Sequence, residues 1–492
     1  MKKVNPFLST LLLLIIIGCN KQDIVITVEF PEQPEVNTLI YSVPISGTIY
    51  LGFSDTLKRS ETGKFELEIK IPRPSFITIW DEGYSNHVKL LVEPGNNYHV
   101  SIGSQKNVQI TGANEKGQML YATLPDPSFI EMELRNWLRD TTVSINNIHH
   151  QISELKQSDL SKFKELLSDK EITKSFFELV QMDRDCYYAS LEAKYLIIKS
   201  LELVRRGEKI DDELLENLKK IYDQYSPNDE RLLFSSFWSE YVTNYVENYK
   251  QFIQEDFNVH VRKLQDLAQS GAIYTHFGKE AKNYLSGKAL ELYQASHIHY
   301  TCIQPRSSFE KGLISLFEQF EKDYPQSEYA KYLKPYIAKI IEHHQIIEQP
   351  FDQATLFMDS YETINTLEEA IKSLKGKKIY IDVWATWCAP CIKEFEHNEA
   401  LKKILTENDI QQLYISIDRD EDDQKWRNAI KQYHLTGVHI RTNEEFHFYL
   451  SKLYSAENPH LAIPWYVLID ENGNIMEVRA KSPSQLVAGE KL

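Results

Sequence analysis

Apolar and polar residues alternate along Lys64-Phe65-Glu66-Leu67-Glu68-Ile69-Lys70-Ile71, the period of a strand with one face buried. Val88-Lys89-Leu90-Leu91-Val92 continues the pattern, followed by the turn Pro94-Gly95-Asn96-Asn97, the run Tyr98-His99-Val100-Ser101-Ile102, and Val108-Gln109-Ile110 stopping at Gly112. These spacings predict a small antiparallel β-sandwich over residues 24–112. From 113 to 350 the pattern changes. Leu, Glu, Lys, Tyr and Ile dominate, glycine is sparse, and stretches such as Ser175 to Leu203 and Leu232 to Phe252 carry helical periodicity. Pro125-Asp126-Pro127, Ser226-Pro227-Asn228 and Tyr324-Pro325-Gln326 supply breaks, the last opening a helix at Ser327. The region reads as a helical insert or bundle.

Residues 354–492 alternate between the two periods. Strands are predicted at 379–384, 412–417, 438–440 and 465–469, and helices at 367–374, 391–405, 422–433 and 444–454. Asn472-Gly473 then marks a hairpin into Ile475-Met476-Glu477-Val478. This order suits an α/β domain with helices on both faces of a sheet. The whole is a multidomain chain: N-terminal β-sandwich, central α-helical region, C-terminal α/β domain.

A length of 492 residues accommodates about three domains. The formal charge of −16, two units more negative once Lys2 and Lys3 leave with a leader, argues against nucleic acid or anionic lipid as a partner. His149-His150 and His343-His344 are adjacent pairs, which on a helix point in different directions. They are expected at the surface, and no metal or cofactor is expected.

Lys2 and Lys3 form a basic start, and Leu8 through Ile17 an apolar run of signal-peptide length, too short for a comfortable membrane span. Ile16-Ile17-Gly18-Cys19 resembles the bacterial lipobox, in which cleavage precedes a cysteine that becomes lipidated. Residues 1–19 are therefore expected to be a lipoprotein signal ending at Cys19. The remainder is expected in the cell envelope, facing the periplasm or the cell surface, held to a membrane by its lipid.

Trp387-Cys388-Ala389-Pro390-Cys391 carries the candidate chemistry. Two cysteines spaced C-x-x-C at a helix start can form a small-ring disulfide, and the unpaired N–H groups of that helix end favour the thiolate. Only the thiolate attacks a disulfide, so one cysteine becomes a nucleophile and the other its resolving partner. Half of a zinc site is the competing reading. Zinc needs two further ligands, and Cys19, Cys186 and Cys302 are single and distant, with His397 supplying one at most. Cys186 and Cys302 read as buried single thiols, with pairing left open by the oxidising compartment.

The stretch Ile381 to Cys391 resembles the strand, active-site turn and helix start of the thioredoxin superfamily, and its Trp-Cys-x-Pro-Cys form is closest to the TlpA/ResA-like extracytoplasmic thiol–disulfide oxidoreductases. Ala462-Ile463-Pro464 before Trp465-Tyr466-Val467-Leu468-Ile469 resembles the family's cis-proline segment. The resemblance implies that Cys388 attacks, that Cys391 is buried and resolves, and that Asp382, six residues earlier, is a buried base. It implies further that Glu394 lies beside the disulfide and tunes it, and that Ile463, Pro464 and the flat face of Trp387 meet the substrate chain. Residues 63–112 also resemble the N-terminal β-domain designated DUF4369, joined to thioredoxin modules in Bacteroidetes-type lipoproteins.

With no charged residue or histidine between the cysteines, the expected potential is nearer thioredoxin (around −270 mV) than the strong periplasmic oxidant (around −120 mV). The expected function is reduction of protein disulfides, with apocytochromes awaiting haem among the candidate clients and a membrane thiol relay as electron donor. A disulfide oxidase or isomerase shares the chemistry at a higher potential. From a different class comes a non-catalytic binding lipoprotein whose thioredoxin-like part is structural.

Overall fold

A computed structural model describes residues 23–490, apart from 46–47, 84–85, 104–106, 125–133, 135–136, 139–143, 254–256, 305–306, 308, 375 and 458. The leader with Cys19 and the Pro125-Asp126-Pro127 break lie outside the described residues. The chain divides into two compact units, residues 1–340 and 341–492.

The first unit opens with eight strands: β1 (Asp23–Glu29), β2 (Thr38–Ile45), β3 (Thr48–Lys58), β4 (Phe65–Lys70), β5 (Ser75–Asp81), β6 (His87–Val92), β7 (Asn97–Ile102) and β8 (Val108–Gly112). They form two four-stranded sheets, ordered β4-β1-β7-β8 and β3-β2-β5-β6. In β4, Phe65 and Leu67 face inward and Glu66 and Glu68 outward, as the alternation requires. One pairing departs from the antiparallel expectation: β1 runs parallel to β7. Alternation fixes which face of a strand is buried, not which neighbour it takes.

Helices follow: α1 (Glu115–Tyr121), α2 (Ile145–Ser168), α3 (Lys174–Arg205), α4 (Asp212–Gln224), α5 (Trp238–Thr243), α6 (Phe257–Gln269), α7 (Ile273–Glu280), α8 (Gly287–Ile303), α9 (Gly312–Asp323) and α10 (Ala330–Glu348). The helix expected from Ser327 begins at Ala330, after Ser327 Oγ has taken the Tyr329 N–H. The periodic stretch from Leu232 to Phe252 is not one helix. A 3₁₀ turn (Leu232–Phe234), α5 and a π-helix (Asn244–Phe252) share it.

The first interruption has a cause in Asp183 of α3, which is fully buried. Its carboxylate accepts from Ser235 Oγ (2.8 Å), Ser236 N–H and Oγ (both 3.1 Å), Tyr121 Oη (2.6 Å) and Arg184 Nη2 (3.0 Å). Lys89 of β6 donates to Tyr121 Oη and to Ser236 Oγ. Strand, helix and turn are thereby tied through one buried charge cluster. Burial pushes the Asp183 carboxyl up, but Lys89 and Arg184 outweigh it and hold the group at about 2.

The second unit holds a six-stranded sheet ordered β14-β13-β10-β11-β12-β9. Its elements are β9 (Thr355–Phe357), α11 (Leu367–Ile371), β10 (Lys378–Trp384), α12 (Ala389–Glu394), α13 (Asn398–Glu407), β11 (Ile410–Ser416), α14 (Asp423–Gln432), β12 (Gly437–Arg441), α15 (Glu444–Tyr454), β13 (Trp465–Ile469), β14 (Ile475–Glu477) and α16 (Pro483–Val487). β10 is central, parallel to β11 and antiparallel to β13. Ile379, Ile381 and Val383 share a core with Trp426, Ile430, Phe446 and Leu450 of α14 and α15. Tyr380 packs with Tyr466, with Leu401 and Leu405 of α13, and with Leu486 of α16. The sheet therefore lies between two helical layers.

Two features were not expected. β9 adds a parallel edge strand beside β12, three residues long and too short to carry an alternation. His343, expected at the surface, is buried, and its Nδ1 lies 2.7 Å from Gln432 Oε1, because the end of α10 packs on α14. His149 and His150 do stand on the surface, beside Glu192 and Glu154. Cys186 and Cys302 are buried free thiols.

Removing a partner from a buried ion pair leaves an uncompensated charge, so Asp183→Ala should destabilise the first unit by about 3–5 kcal/mol in urea unfolding. The Asp183 pKa is depressed from 3.8, so its contribution is complete above that value and lost as pH falls through about 2. Wild-type stability should show that acid-side loss and the variant should lack it. Equal acid-side slopes would show that the cluster is electrostatically idle.

Candidate redox site

β10 ends at Trp384, and the chain turns through Ala385, Thr386 and Trp387 before α12 begins. The turn is held by a residue far along the chain. Asp418, just past β11, accepts from Thr386 N–H (3.1 and 3.0 Å to its two oxygens), from Thr386 Oγ1 (2.7 Å) and from Ser416 Oγ (2.8 Å). Cys388 is the N-cap of α12, with Pro390 in its first turn, where a missing N–H is harmless. The Cys388 sulfur accepts the Cys391 N–H at 3.2 Å and is bonded to the Cys391 sulfur, with the two Cα atoms 5.3 Å apart.

Cys388 is 4% exposed and Cys391 1%. What the loop offers to solvent is Trp387, 65% exposed. The Ile463–Pro464 peptide bond is cis. Val383 pairs with Trp465, the residue after Pro464, and Ile463 packs against the core that includes Trp384, Cys388 and Cys391. The cis-proline segment thus lies by the loop that carries the cysteines.

Asp382 is 1% exposed, and neither carboxyl oxygen has a hydrogen-bond partner among the described residues. Burial, then the Glu394 carboxylate, pushes its pKa well above the ordinary carboxylate value. Tyr414 is its partner on β11 and Tyr466 its partner on β13, with Tyr380 two residues away on the same face of β10. Tyr380 is committed elsewhere, donating to the Lys481 carbonyl at 2.6 Å, and its ring stacks on that of Tyr466 at 5.7 Å.

Glu394 lies one turn past Cys391. Its carboxylate accepts from Ser484 N–H and Ser484 Oγ, both 2.9 Å, at the start of α16. The short closing helix, capped by Ser482 and Gln485, is therefore bolted to the helix that carries the disulfide. Three participants were not singled out from the sequence: Asp418, Ser484 and Tyr466. Asp418 was legible only as a strand end. For Tyr466, the signal was present in strand parity once β10 and β13 are known to be neighbours. No group of His, Cys, Asp and Glu suited to a metal ion occurs among the described residues.

The arrangement can open and close a dithiol at a helix N-terminus, in a domain whose central strand carries a buried acid. The chain is similar to several known proteins. The Redoxin family model matches residues 362–487. The thiol-disulfide oxidoreductase ResA of Bacillus thuringiensis subsp. konkukian is 32% identical over 108 residues, 22% of this chain and 57% of that protein. The thioredoxin-like protein YneN of Bacillus subtilis is 39% identical over 44 residues, 9% and 26% of the two chains. A solution structure of a thiol:disulfide interchange protein from Bacteroides sp. is 19% identical, covers 24% of this chain and 73% of its own, and superposes with a TM-score of 0.21. The chain spans little more than half the length of the ResA protein it matches. Its C-terminal part is a thioredoxin-like domain of the Redoxin family.

Proposed function

We propose that this chain is a membrane-anchored thiol–disulfide oxidoreductase that reduces protein disulfides in the periplasm. The observation that carries the chemistry is the Cys388–Cys391 disulfide at the start of α12, in one core with Ile463 of the cis Ile463–Pro464 bond, in a domain whose central strand buries Asp382. In the reduced enzyme the Cys388 thiolate attacks a substrate disulfide, forming a mixed disulfide and releasing one substrate thiolate. Cys391 then passes its proton to the Asp382 carboxylate and attacks the Cys388 sulfur. The second substrate thiolate leaves, the enzyme is left as the disulfide, and the substrate has gained two electrons. A dithiol donor must return them.

Ile463, Pro464 and the exposed Trp387 are the surface on which a substrate chain would lie. Clients in this reading are misoxidised secreted proteins, including apocytochromes before haem attachment, and the donor is a membrane thiol relay. The lipobox-like Ile16-Ile17-Gly18-Cys19 supports a lipid anchor on Cys19. No helix among the described residues is long and apolar enough to cross a membrane. The strands of the first unit form two sheets, which suits the resemblance to the DUF4369 domain; their role in this reading is to space the redox domain from the membrane or to select clients.

Two measurements test the proposal. Cys391→Ser should accumulate mixed disulfides through Cys388 when incubated with periplasmic extract, releasable by dithiothreitol and absent from a Cys388→Ser, Cys391→Ser control. A variant that captures nothing would sink the reductase reading and leave a binding lipoprotein. The midpoint potential of the couple should fall near or below about −250 mV. A value of about −120 to −150 mV would reverse the direction and make the protein an oxidant or isomerase.

A further inference from the structure

Both carboxyl oxygens of Asp382 and the hydroxyl oxygen of Tyr466 are buried with no partner among the described residues, as are Trp384 Nε1 and the Gln412 amide on the same face of the sheet. Asp382 and Tyr466 are directly opposed across β10 and β13, so their side chains emerge on the same side with Cβ atoms about 5 Å apart. An unpaired buried hydroxyl is costly, a reason to expect that it is used in some state of the protein.

We propose that Tyr466 is a positioning residue for the proton acceptor: its phenolic hydrogen is donated to Asp382, directly or through one bridging water, when Asp382 is ionised. This rests on the reading of Asp382 as the base that takes the Cys391 proton.

Tyr466 is the unpartnered donor directly opposed to Asp382 across the strand pair; Trp384 Nε1 and Gln412 Nε2, further along the same face, are unpartnered too. Tyr380 is on the same face, but its hydroxyl is bound to the Lys481 carbonyl. Tyr414, on the other flank, stacks flat on His439 at 4.8 Å and lines a small cavity of about 190 Å³ under α13. From α12 comes the Glu394 carboxylate, which opposes ionisation of Asp382. α13 and α16 present Leu401, Ile404, Leu405 and Leu486 to the cluster, with the buried, unpartnered amide of Asn398 lining the cavity beside Tyr414. Burial and the Glu394 charge both favour the protonated acid, and no cation offsets them. A carboxyl with a raised pKa is ionised less of the time, and only its ionised form can accept a proton. A hydrogen bond to the charged form lowers its pKa, and Tyr466 is placed to supply it. After Cys391 has delivered its proton the carboxyl is neutral, the bond weakens, and the same hydroxyl no longer resists proton release.

The step is read in the full chain, reduced and mixed with excess 5,5′-dithiobis(2-nitrobenzoate). Cys388 releases the first thionitrobenzoate and Cys391, on resolving the mixed disulfide, the second. Tyr466→Phe should leave the first phase unchanged and move the pH midpoint of the second phase up by about one unit, a slowing of about tenfold at neutral pH. Tyr380→Phe, whose hydroxyl is committed elsewhere, should match wild type. Replacing Tyr466 with 3-fluorotyrosine, a stronger donor of unchanged shape, should move the midpoint down, so the proposal stays testable if Tyr466→Phe fails to fold. Asp382→Asn separates the layers. If it leaves the second-phase profile unaltered, the reading of Asp382 as acceptor fails. If it abolishes the midpoint while Tyr466→Phe and the fluorinated residue leave it in place, or if Tyr414→Phe moves it instead, the assignment to Tyr466 fails and the reading of Asp382 stands.

Discussion

A carboxyl group sealed inside a sheet, with no cation beside it, is the constraint around which the second unit is organised. Asp382 sits on the central strand, between residues that belong to the opposite core, and its own face is closed by tyrosines and by the leucines of two helices. It is shut off from bulk solvent and no lysine or arginine neutralises it, so burial and the Glu394 carboxylate favour its protonated form. Tyrosine suits such a face, a large apolar ring ending in a hydroxyl.

The two units hold buried charge in opposite ways. Asp183 in the first is surrounded by donors: two serines, a tyrosine, an arginine and, through the tyrosine and one serine, a lysine. Its charge is permanent and serves to join strand β6 to helices α1 and α3 and to the turn before α5. Asp382 is stripped of such partners, and its charge is conditional. The difference is that between a group fixed for stability and one left free to titrate.

Much of the second unit was legible from residue order. The C-x-x-C helix start, the strand before it and the helix from Glu444 to Tyr454 follow from local pattern, since each is decided within a few residues, while the cis proline was expected from the family resemblance. What was not legible depends on partners distant in sequence. β9 is a strand only because β12 lies beside it, and the parallel pairing of β1 with β7 leaves no trace in the alternation of either. His343 looks like half of an exposed pair until α14 covers it. The break at Ser235 and Ser236 reads as helix because its cause, Asp183, is 52 residues earlier. In the redox site the cysteines announced themselves, while Asp418 and Ser484, which hold the loop and the helix in place, are an ordinary aspartate and serine whose importance is purely spatial.

The bond between Glu394 and Ser484 also bears on the order in which the molecule is made. Ninety residues of chain separate the two, and β13, the neighbour that completes the flank of Asp382, lies between them. A ribosome adds about 5–20 residues each second, so the cysteines emerge several seconds before the segments that fix their helix and bury the acid beneath it. During that interval Cys388 and Cys391 are ordinary thiols on an unfinished domain. Their helix is pinned only once Ser484 has been made.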